Sequence, residues 1–554
     1  MIIKHLISAA VTLVVGFGYF YVALPALNWR SKELWSMLFL LAVVYIVSYF
    51  WSSIFTKNVT KKKTNTKVFE NGTHANVNIQ IDLPKNLKIA LGAVAAVALV
   101  LLLVVFSSSA VFNAGKYQDM LTVNESDFAA DIAELPLSQI PVVDKSTAER
   151  LASRKIGEVV ELVSQFNLSV YNTQINFNEK PVRVLPLEYA DMIKWFVNTS
   201  EGIPYYVKVD MATQATELVE LDNGMRYSPS EYFARDLMRH VRFNFPTKMI
   251  DHISFEIDDS GAPYWILPYY TYTIGVVGGK DIAGIILCNA VTGELQNIEV
   301  SAVPQWIDNV YSADMLVEQA DNWGKYTNGF INSIIAQKNV VVTTDGYNYI
   351  AQDDDVWLYT GITSVVADES NIGFILVNKR TKEARTYPIN GAEEYSAMDS
   401  AIGAVQEKNY TATFPILINV ENVPTYFISL KDNAGLVKMY SFVSVSNYQT
   451  VGVSDTLVGA MEDYVRMLKA NGIIDSSAVP TPDGDEYEIT ADSIAEVMVG
   501  GNTVYYIKSG DRIFTADINL GPELPFILEV GKTYVVRAKD AGNGSFTVTS
   551  IKLK

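Results

Sequence analysis

"CNAVTGEL", Cys288 to Leu295, contains a short pattern that occurs three times in this chain. A hydrophobic residue is followed by Asn or Asp, two variable positions and Thr, as also in "VDMATQATE" from Val209 and "VNKRTKEAR" from Val377. Asn or Asp at the start of a turn accepts hydrogen bonds from the backbone that follows, Thr does so more weakly, and Gly293 permits a positive φ. Cys and Gly do not recur in register. We therefore interpret the pattern as the hairpin turn of a duplicated module, not as a catalytic signature.

The surrounding stretches repeat an order of elements. "YYVKVDMATQATELVEL" predicts strand, turn and strand, and a helix and a hairpin follow it; "GFILVNKRTKEARTYPI", "SAMDSAIGAVQEK" and "PILINVENVPTYFISL" predict the same order again. Short sequence fragments recur too, such as Pro263-Tyr264-Trp265-Ile266 and Pro424-Thr425-Tyr426-Phe427-Ile428. We predict a stalk and helical entry region over 114–200, a first α+β module or modules over 201–340, and a second over 341–473.

The strand–"NAVTGEL"–strand shape resembles the closing hairpin of PepSY and related cystatin-like modules of bacterial exported proteins. That resemblance implies a helix against a curved antiparallel sheet, outside the membrane, with a binding or peptidase-restraining role. Longer stretches, "TTDGYNYIAQDDDVWLYTG" from Thr343 and "TYFISLKDNAGLVKMY" from Thr425, resemble a group of membrane-anchored exported proteins of Firmicutes. This second resemblance implies a location and no activity.

Three segments are apolar and long enough to cross a bilayer, which takes about 20 helical residues. They run over about 6–27, 34–55 and 89–112, so that residues 1–113 form a membrane anchor. The alternative is that the first segment is a cleaved signal peptide. The second segment follows at once, which favours an uncleaved multi-pass anchor in the lipid bilayer.

Charge predicts the orientation of this anchor. The loop 56–88 holds seven lysines against Glu70 and Asp82, and positively charged loops stay in the cytoplasm. The N-terminus and this basic loop are therefore predicted to be cytoplasmic, and residues 114–554 extracytoplasmic. Residues 1–113 carry ten Lys or Arg and three acids, hence +7, and the whole chain carries −18, so residues 114–554 carry −25. Such an acidic body argues against nucleic acid as a partner.

The C-terminal part is predicted to be a separate β domain. An acidic Pro/Ser/Asp linker over 474–486 precedes alternating segments over 487–554 with turns at Gly500-Gly501, Ser509-Gly510-Asp511 and Gly542-Asn543-Gly544. About five strands follow from this spacing. We predict a small closed barrel similar to OB or SH3-like barrels.

The sequence contains few residues suited to catalysis. The body holds His240 and His252 and the single cysteine Cys288, and the chain has no HExxH, GxSxG or Walker A motif. His240 is predicted to serve its own helix end, and Cys288, in the apolar run "GIILCNA", to be a buried inert thiol; the alternative is a nucleophile. We expect a protein that is not an enzyme and has no organic cofactor.

Asp353, Asp354 and Asp355 form the candidate metal site. Three carboxylates near a turn can hold Ca²⁺. The alternative is a solvated turn between two strands. Asp258 and Asp259 are a further acidic pair in a predicted hairpin turn.

These observations favour a multi-pass membrane protein that displays an acidic binding or scaffolding body at the cell envelope, with a protein partner at the surface or in the membrane. One alternative is an accessory subunit of a transport or secretion complex. Another is an envelope hydrolase that uses acids such as Asp258 and Asp259 or the run 353–355, which would require a pair of carboxylates in a cleft.

Overall fold

A computed structural model describes residues 2–56, 96, 99–100, 102–352, 354–365, 370–474, 484–499, 502–520, 524–542 and 544–554. Its helices, named in chain order, are α1 (Ile2–Ala23), α2 (Lys32–Thr56), α3 (Ala110–Gln118), α4 (Phe128–Asp131), α5 (Lys145–Gly157), α6 (Val160–Val163), α7 (Met192–Asn198), α8 (Leu237–Asn244), α9 (Ala313–Lys325), α10 (Gly329–Ile334), α11 (Glu394–Ala404), α12 (Leu457–Ala470) and α13 (Leu524–Ile527).

Helices α1 and α2 form a hairpin of two apolar helices. Within the described residues these are the two helices long and apolar enough to cross a membrane, and little of either is buried. The expectation of three such helices is therefore wrong for this part of the chain. Of the third predicted span, residues 89–95, 97–98 and 101 lie outside the described residues. The helical residues 102–108 end at Ser109, whose side chain caps α3, and Asn113 leaves helical geometry (φ −129°), so polar residues interrupt the apolar run.

The connector between α1 and α2 is bonded to the body of the protein. Leu27 N–H donates to the Pro246 carbonyl (2.7 Å), and Arg30 Nη1 donates to the Tyr272 carbonyl (2.9 Å). From the body, Arg242 Nε donates to the Leu24 carbonyl (2.9 Å). The body therefore lies at the connector end of the helical hairpin.

The predicted stalk is part of the folded body. Strand β1 (Val123–Glu125) pairs in parallel with a strand some 260 residues later, through Val123 and Ala384. Leu121 and Phe128 are buried in the two main hydrophobic cores. The expectation of a stalk was wrong because these apolar side chains fill the body's cores, where burial stabilises them.

The body consists of four antiparallel units with one strand order. In each unit two short strands pair end to end with one long strand, and two further strands continue the meander outward. The first unit contains β2 (Phe166–Leu168), β3 (Thr173–Phe177), β4 (Lys180–Tyr189), β5 (Ile203–Asp210) and β6 (Thr216–Met225); the second contains β7 (Met249–Ile250), β8 (Ser254–Ile257), β9 (Pro263–Ile274), β10 (Gly278–Asn289) and β11 (Leu295–Glu299).

The third and fourth units follow the same plan. The third contains β12 (Val341–Thr343), β13 (Asn348–Gln352), β14 (Asp355–Ser364), β16 (Gly373–Asn378) and β17 (Ala384–Tyr387), with a small ladder of β15 (Ser370–Asn371) and β18 (Gly391–Ala392) beside it; the fourth contains β19 (Thr411–Ala412), β20 (Ile416–Val420), β21 (Val423–Lys431), β22 (Val437–Ser444) and β23 (Val451–Ser454). Helices α5, α8, α9 and α11 precede the four units in turn.

The predicted cystatin-like modules are therefore wrong as a fold. Most of the body is β-sheet, in four units, with the helices at their edges. The boundary predicted at residue 201 falls between β4 and β5, inside the first unit. The prediction failed because it grouped the hairpin β8–β9 with β5 and β6, and the hairpin β20–β21 with β16 and β17, although each of these hairpins belongs to the next unit. Four meanders around a common centre resemble the plan of a small β-propeller.

The recurring Asn/Asp–Thr pattern is confirmed as a hairpin turn, at the end of β5, β10 and β16. In each copy the first side chain accepts from the backbone N–H groups two and three residues on, at 2.8 to 3.0 Å. In each copy the fifth residue has a positive φ: Gln214 (64°), Gly293 (76°) and Lys382 (64°). The turns are thus equivalent in bonding as well as in sequence.

The second residue of each turn joins three parts of its unit. Its N–H donates to a carbonyl at the start of the long strand, and its carbonyl accepts two successive N–H groups from the segment that leads into the unit's helix. The bonds are Met211 to Pro181 (3.0 Å) with Val142 (2.8 Å) and Val143 (3.1 Å); Ala290 to Pro263 (3.0 Å) with Arg226 (2.9 Å) and Tyr227 (3.0 Å); and Lys379 to Val356 (3.0 Å) with Val310 (3.2 Å) and Tyr311 (2.8 Å).

The fourth unit keeps this junction without the sequence pattern. Val445 N–H donates to the Pro424 carbonyl (3.1 Å), and the Val445 carbonyl accepts from Ala392 N–H (3.0 Å). Its turn is longer, and Ser444 N–H donates to the Thr450 carbonyl (3.1 Å). The junction is therefore the common feature of all four units.

The C-terminal domain is a six-stranded sheet and not a closed barrel. Its strands are β24 (Asp485–Thr490), β25 (Ser493–Val499), β26 (Asn502–Ser509), β27 (Arg512–Asp517), β28 (Thr533–Gly542) and β29 (Ser545–Leu553), in the order β24-β28-β29-β27-β26-β25. The edge strands β24 and β25 are not paired with each other, so the barrel prediction was wrong. Alternation along a strand reveals that one face is buried, but it does not reveal whether the two edges meet.

The three turns offer a matched test of backbone strain. Replacing Gln214 by Gly should raise the free energy of unfolding by about 0.5–1 kcal/mol, because a residue with a side chain is disfavoured at positive φ. The opposite change, Gly293→Ala, should lower the free energy of unfolding by about 2–3 kcal/mol. Ala is strained at this positive φ, and its Cβ would also overlap the Tyr227 ring. Thermal and urea unfolding of both variants measure these changes; a Gln214→Gly variant that is less stable than the unmodified chain would contradict the equivalence of the turns.

Candidate functional site

The four units share one cavity of about 510 Å³ at their centre. In every unit the pair of short strands is interrupted, over residues 169–172, 251–253, 344–347 and 413–415, and each interruption borders this cavity. Polar side chains from all four units line it, including Asn172, Gln174 and Arg183 from the first, His252 and Ser254 from the second, Asn348 and Lys379 from the third, and Thr413 and Ser429 from the fourth. The volume is in the usual range for small-molecule sites.

Arg183 is the most unusual residue of this cavity. It lies in β4, where it is 5% exposed, and its Nη1 donates to Asn172 Oδ1 (3.0 Å) while Nη2 is 3.4 Å from Gln174 Oε1. Its Nε has no hydrogen-bond partner, and no carboxylate of the described residues pairs with the guanidinium. Burial lowers the pKa of this guanidinium, and Tyr349 and the carboxylates of Glu149 and Asp144 oppose that effect without bonding to it. Arg183 is thus a buried cation with no directly paired carboxylate among the described residues.

Lys379 is a second cation on the cavity wall. It is the second residue of the third hairpin turn, so the junction bonds of its backbone fix its position. Its ammonium donates to Asn309 Oδ1 and lies 4.4 Å from the centre of the Tyr349 ring. Burial lowers the pKa of Lys379 to about 8, although Glu256 and Asp308 act in the opposite direction. Lys379 therefore loses its charge at a lower pH than an exposed lysine does.

Glu256 and Asp308 are buried behind the cavity wall, and neither lines the cavity. Glu256 accepts from the backbone N–H groups of Asp308 (2.8 Å) and Asn309 (3.1 Å), and Asp308 accepts from Asn176 N–H (2.7 Å). Burial raises the pKa of Asp308 well above its usual value, with the Glu256 charge adding to the effect, and burial also raises the pKa of Glu256. These carboxyl groups hold the segment before α9 against the first and second units.

His252 lies on the side of the cavity nearest the α1–α2 connector. Its Nδ1 is 2.8 Å from Asp251 Oδ2, and Lys280 forms an ion pair with the other oxygen of that carboxylate. Burial alone would raise the pKa of Asp251, but the hydrogen bonds and charges of His252 and Lys280 lower it instead. His252 also borders a second cavity of about 520 Å³ that the α1–α2 connector closes with Leu24 and Glu33.

The predicted Ca²⁺ site is not brought together in the described residues. Asp353 lies outside them. Asp355 is buried, and Arg380 Nε (2.6 Å) and Nη2 (2.7 Å) bind both of its carboxylate oxygens. Asp354 occupies the turn at positive φ (61°), where burial raises the pKa of its carboxyl. No group of three His, Cys, Asp or Glu suited to a metal occurs among the described residues; the cation site stays a prediction.

The other predicted residues have structural positions. Asp258 Oδ1 accepts from the N–H groups of Ser260 (3.0 Å) and Ala262 (2.9 Å), so it forms a turn between β8 and β9. His240 Nε2 is 2.8 Å from the Gly293 carbonyl and supports the second hairpin turn, not its own helix end. Cys288 is fully buried, and burial raises the pKa of its thiol to about 12, in agreement with an inert cysteine.

The two buried cations of the cavity, Arg183 and Lys379, were not predicted from the sequence. Arg183 occurs in the apolar run "PVRVLPL", and a single charge inside an otherwise buried strand was the available signal. Lys379 is in the third turn pattern, at the position taken by Met211 and Ala290 in the other copies. A charged residue at a position that is otherwise apolar was again the signal.

Comparisons with known proteins add little to this geometry. No protein-family model matches the chain, and no curated protein matches it. Among solved structures, an exo-1,5-alpha-L-arabinanase from a bovine ruminal metagenomic library has a TM-score of 0.15 and 10% identity, over 69% of this chain and 98% of that one. Levansucrase from Bacillus subtilis has a TM-score of 0.16 and 10% identity, over 78% of this chain and 98% of that one. A levansucrase complexed with sucrose has a TM-score of 0.16 and 9% identity, over 74% of this chain and 90% of that one. TM-scores this low carry no argument, and the resemblance to membrane-anchored proteins of Firmicutes stays a prediction.

Proposed function

We propose that this chain is a membrane-anchored binding protein that holds a small anionic ligand in its central cavity, outside the cytoplasm. One observation carries the proposal: Arg183 is buried on the cavity wall, its Nε has no hydrogen-bond partner, and no carboxylate of the described residues forms an ion pair with its guanidinium. A buried charge without a partner costs several kcal/mol, which a bound anion would offset.

The cavity chemistry defines a class of ligand. A guanidinium recognises planar carboxylates and phosphates through directed N–H groups. Lys379, from the third unit, would add a second positive charge in the same cavity. Asn172, Asn348 and Ser429 supply neutral polar groups around these cations. We therefore favour a polar metabolite-sized molecule that carries a carboxylate or phosphate group.

Two carboxylates, Asp144 and Asp314, line the cavity itself, and Asp144 is bonded to Thr147 N–H (3.0 Å) and to the Lys431 ammonium (2.7 Å). The other two carboxyl groups of the centre favour a structural role over hydrolysis. Glu256 and Asp308 accept backbone N–H groups and are shielded from the cavity. A general acid or base must reach the substrate directly or through one water. A non-catalytic role accounts for their positions better.

The membrane hairpin supports the proposed location. The exposed apolar surfaces of α1 and α2 suit a lipid environment, and the connector's bonds to the body favour an uncleaved anchor over a removable signal peptide. Since the basic segment 56–88 follows the end of α2 remote from that connector, positive charge on the cytoplasmic side would leave the connector and body on the other side.

Anion-dependent stabilisation tests the proposal. The purified full chain in detergent is heated with phosphate, citrate, glucuronate or a neutral sugar. We expect at least one oxyanion to raise Tm, because a ligand at a hundredfold excess over Kd stabilises by about 2.7 kcal/mol. Arg183→Met should raise Tm without ligand and abolish the anion effect, since it removes an unpaired buried charge at similar volume.

The matched control is Arg154→Met, which removes an exposed arginine outside the cavity and should leave the anion effect unchanged. An Arg183→Met variant that responds to the anion as the unmodified chain does would contradict the proposal. So would one that fails to fold, since Arg183 would then be a structural residue.

The pH dependence of binding follows from Lys379. An anion binds better to the charged lysine, so affinity should be highest below the pKa of about 8 and fall as the pH rises through it. Above that pKa the affinity for the anion falls by about tenfold per pH unit, until the pH passes the pKa of Lys379 in the complex. Calorimetric titration at pH 7 and 9 measures it with the anion found above; Lys379→Met should bind more weakly at pH 7 and show a flat profile. An unchanged slope in that variant would exclude Lys379 as the titrating group.

A further inference from the structure

Two short helices of the body expose apolar side chains. In α7, Ile193 and Phe196 are 72% and 74% exposed, and Met192 and Val197 beside them are also exposed. At the end of α10, Ile331 and Ile335 are 72% and 79% exposed, with Ile334 between them. Clusters of large exposed apolar side chains are uncommon on soluble surfaces and mark sites of contact.

Helix α7 lies beside the end of α1. Its Trp195 packs against Phe233, with ring centres 5.8 Å apart. One guanidinium, that of Arg239, donates to both the Phe233 carbonyl (2.7 Å) and the Tyr21 carbonyl (3.2 Å). The exposed apolar surface of α7 and Phe233 is therefore next to the aromatic end of the first apolar helix.

Helix α10 is connected to the same side of the body by a different route. Tyr272, which binds Arg30 of the connector, is followed by Val276, whose N–H donates to Ser108 Oγ (3.0 Å). Tyr117 of α3 donates to the Ser108 carbonyl (2.7 Å), and its ring lies 6.3 Å from that of Tyr326, just before α10. Helices α7 and α10 are thus each linked, through a few contacts, to the part of the body that meets the connector.

We propose that the body rests on the lipid bilayer through α7 and α10, whose exposed apolar side chains enter the boundary between headgroups and acyl chains. This proposal rests on the anchoring proposed above and goes beyond it, since an anchor alone requires no contact of the body with lipid. Lipid is favoured as the occupant because contacts link both surfaces to the part of the body that meets the apolar helices, α7 through Arg239 to the end of α1, and α10 through Tyr117 to Ser108 at the end of the helical residues 102–108. Lys194 and Lys338, one in or near each helix, suit the anionic headgroups at that level.

The contact would have a functional consequence. Interfacial helices insert their apolar side by about 5–10 Å, so two of them would fix the tilt of the body over the membrane. His252 separates the central cavity from the cavity closed by the connector. A fixed body would therefore hold one end of the central cavity towards the bilayer.

Site-specific labelling tests the proposal on the full chain. Cys288 is buried, so a single added cysteine can be labelled with an environment-sensitive fluorophore. Phe196→Cys and Ile335→Cys probe the two helices, Phe39→Cys in α2 is the membrane control, and Tyr448→Cys in the fourth unit is the water control; all four positions are exposed. The chain is reconstituted in phosphatidylcholine–phosphatidylglycerol vesicles, and quenching by spin-labelled lipid is compared with quenching by iodide.

We expect labels at 196 and 335 to be quenched by lipids with a shallow spin label and protected from iodide, unlike the label at 448. Iodide quenching at 196 and 335 equal to that at 448 would overturn the proposal. Protection from iodide without lipid quenching would also overturn it, because a second protein surface would then cover the helices. The label at 39 separates the two proposals: if lipid quenches it while 196 and 335 stay in water, the anchor holds and the contact fails; if lipid does not quench it, the anchor itself fails.

Discussion

The fold of the body depends on one recurring set of backbone hydrogen bonds, made by the second residue of each outer hairpin turn. Met211, Ala290, Lys379 and Val445 each donate to the start of their unit's long strand and accept from the segment that leads into the unit's helix. In each unit these bonds join the outer turn, the start of the long strand and the segment before the helix. Because backbone atoms form them, almost any residue type can occupy the turn position, and the side chain there is free to vary between units.

That freedom accounts for the chemistry of the centre. Met211, Ala290 and Val445 are apolar, whereas in the third unit the same position holds Lys379, whose ammonium reaches Asn309 at the cavity. Arg183 lies in the long strand of the first unit, two residues after Pro181, whose carbonyl accepts from Met211 N–H at the junction. Repetition thus provides four similar walls, and single departures from the repeat provide the charges that distinguish one wall from another. This division of roles is what a binding site built on duplicated units requires.

The sequence predicted the turns well and the architecture poorly, for reasons that particular residues illustrate. Asp210, Asn289 and Asn378 act within six residues of themselves, so their role is readable from local spacing. The fourth unit lacks the pattern at Val445, and the short interrupted strands, such as Met249–Ile250, are below the length at which alternation is visible. Arg183 has a strand-like neighbourhood, and its isolation from carboxylates depends on contacts between segments far apart in sequence. The two apolar helices α1 and α2 were recognised because hydrophobic length is a local property, whereas part of the third predicted span lies outside the described residues.

The central claim is that the shared cavity holds an anion against Arg183. A crystal structure of the full chain grown with selenate, located by anomalous scattering of selenium, tests this most directly. The account predicts a selenate oxygen within about 3 Å of Arg183 Nε, with Lys379 on the same side of the ion. A cavity that contains only water beside Arg183 at saturating selenate, or a protein carboxylate bound there in its place, would contradict it.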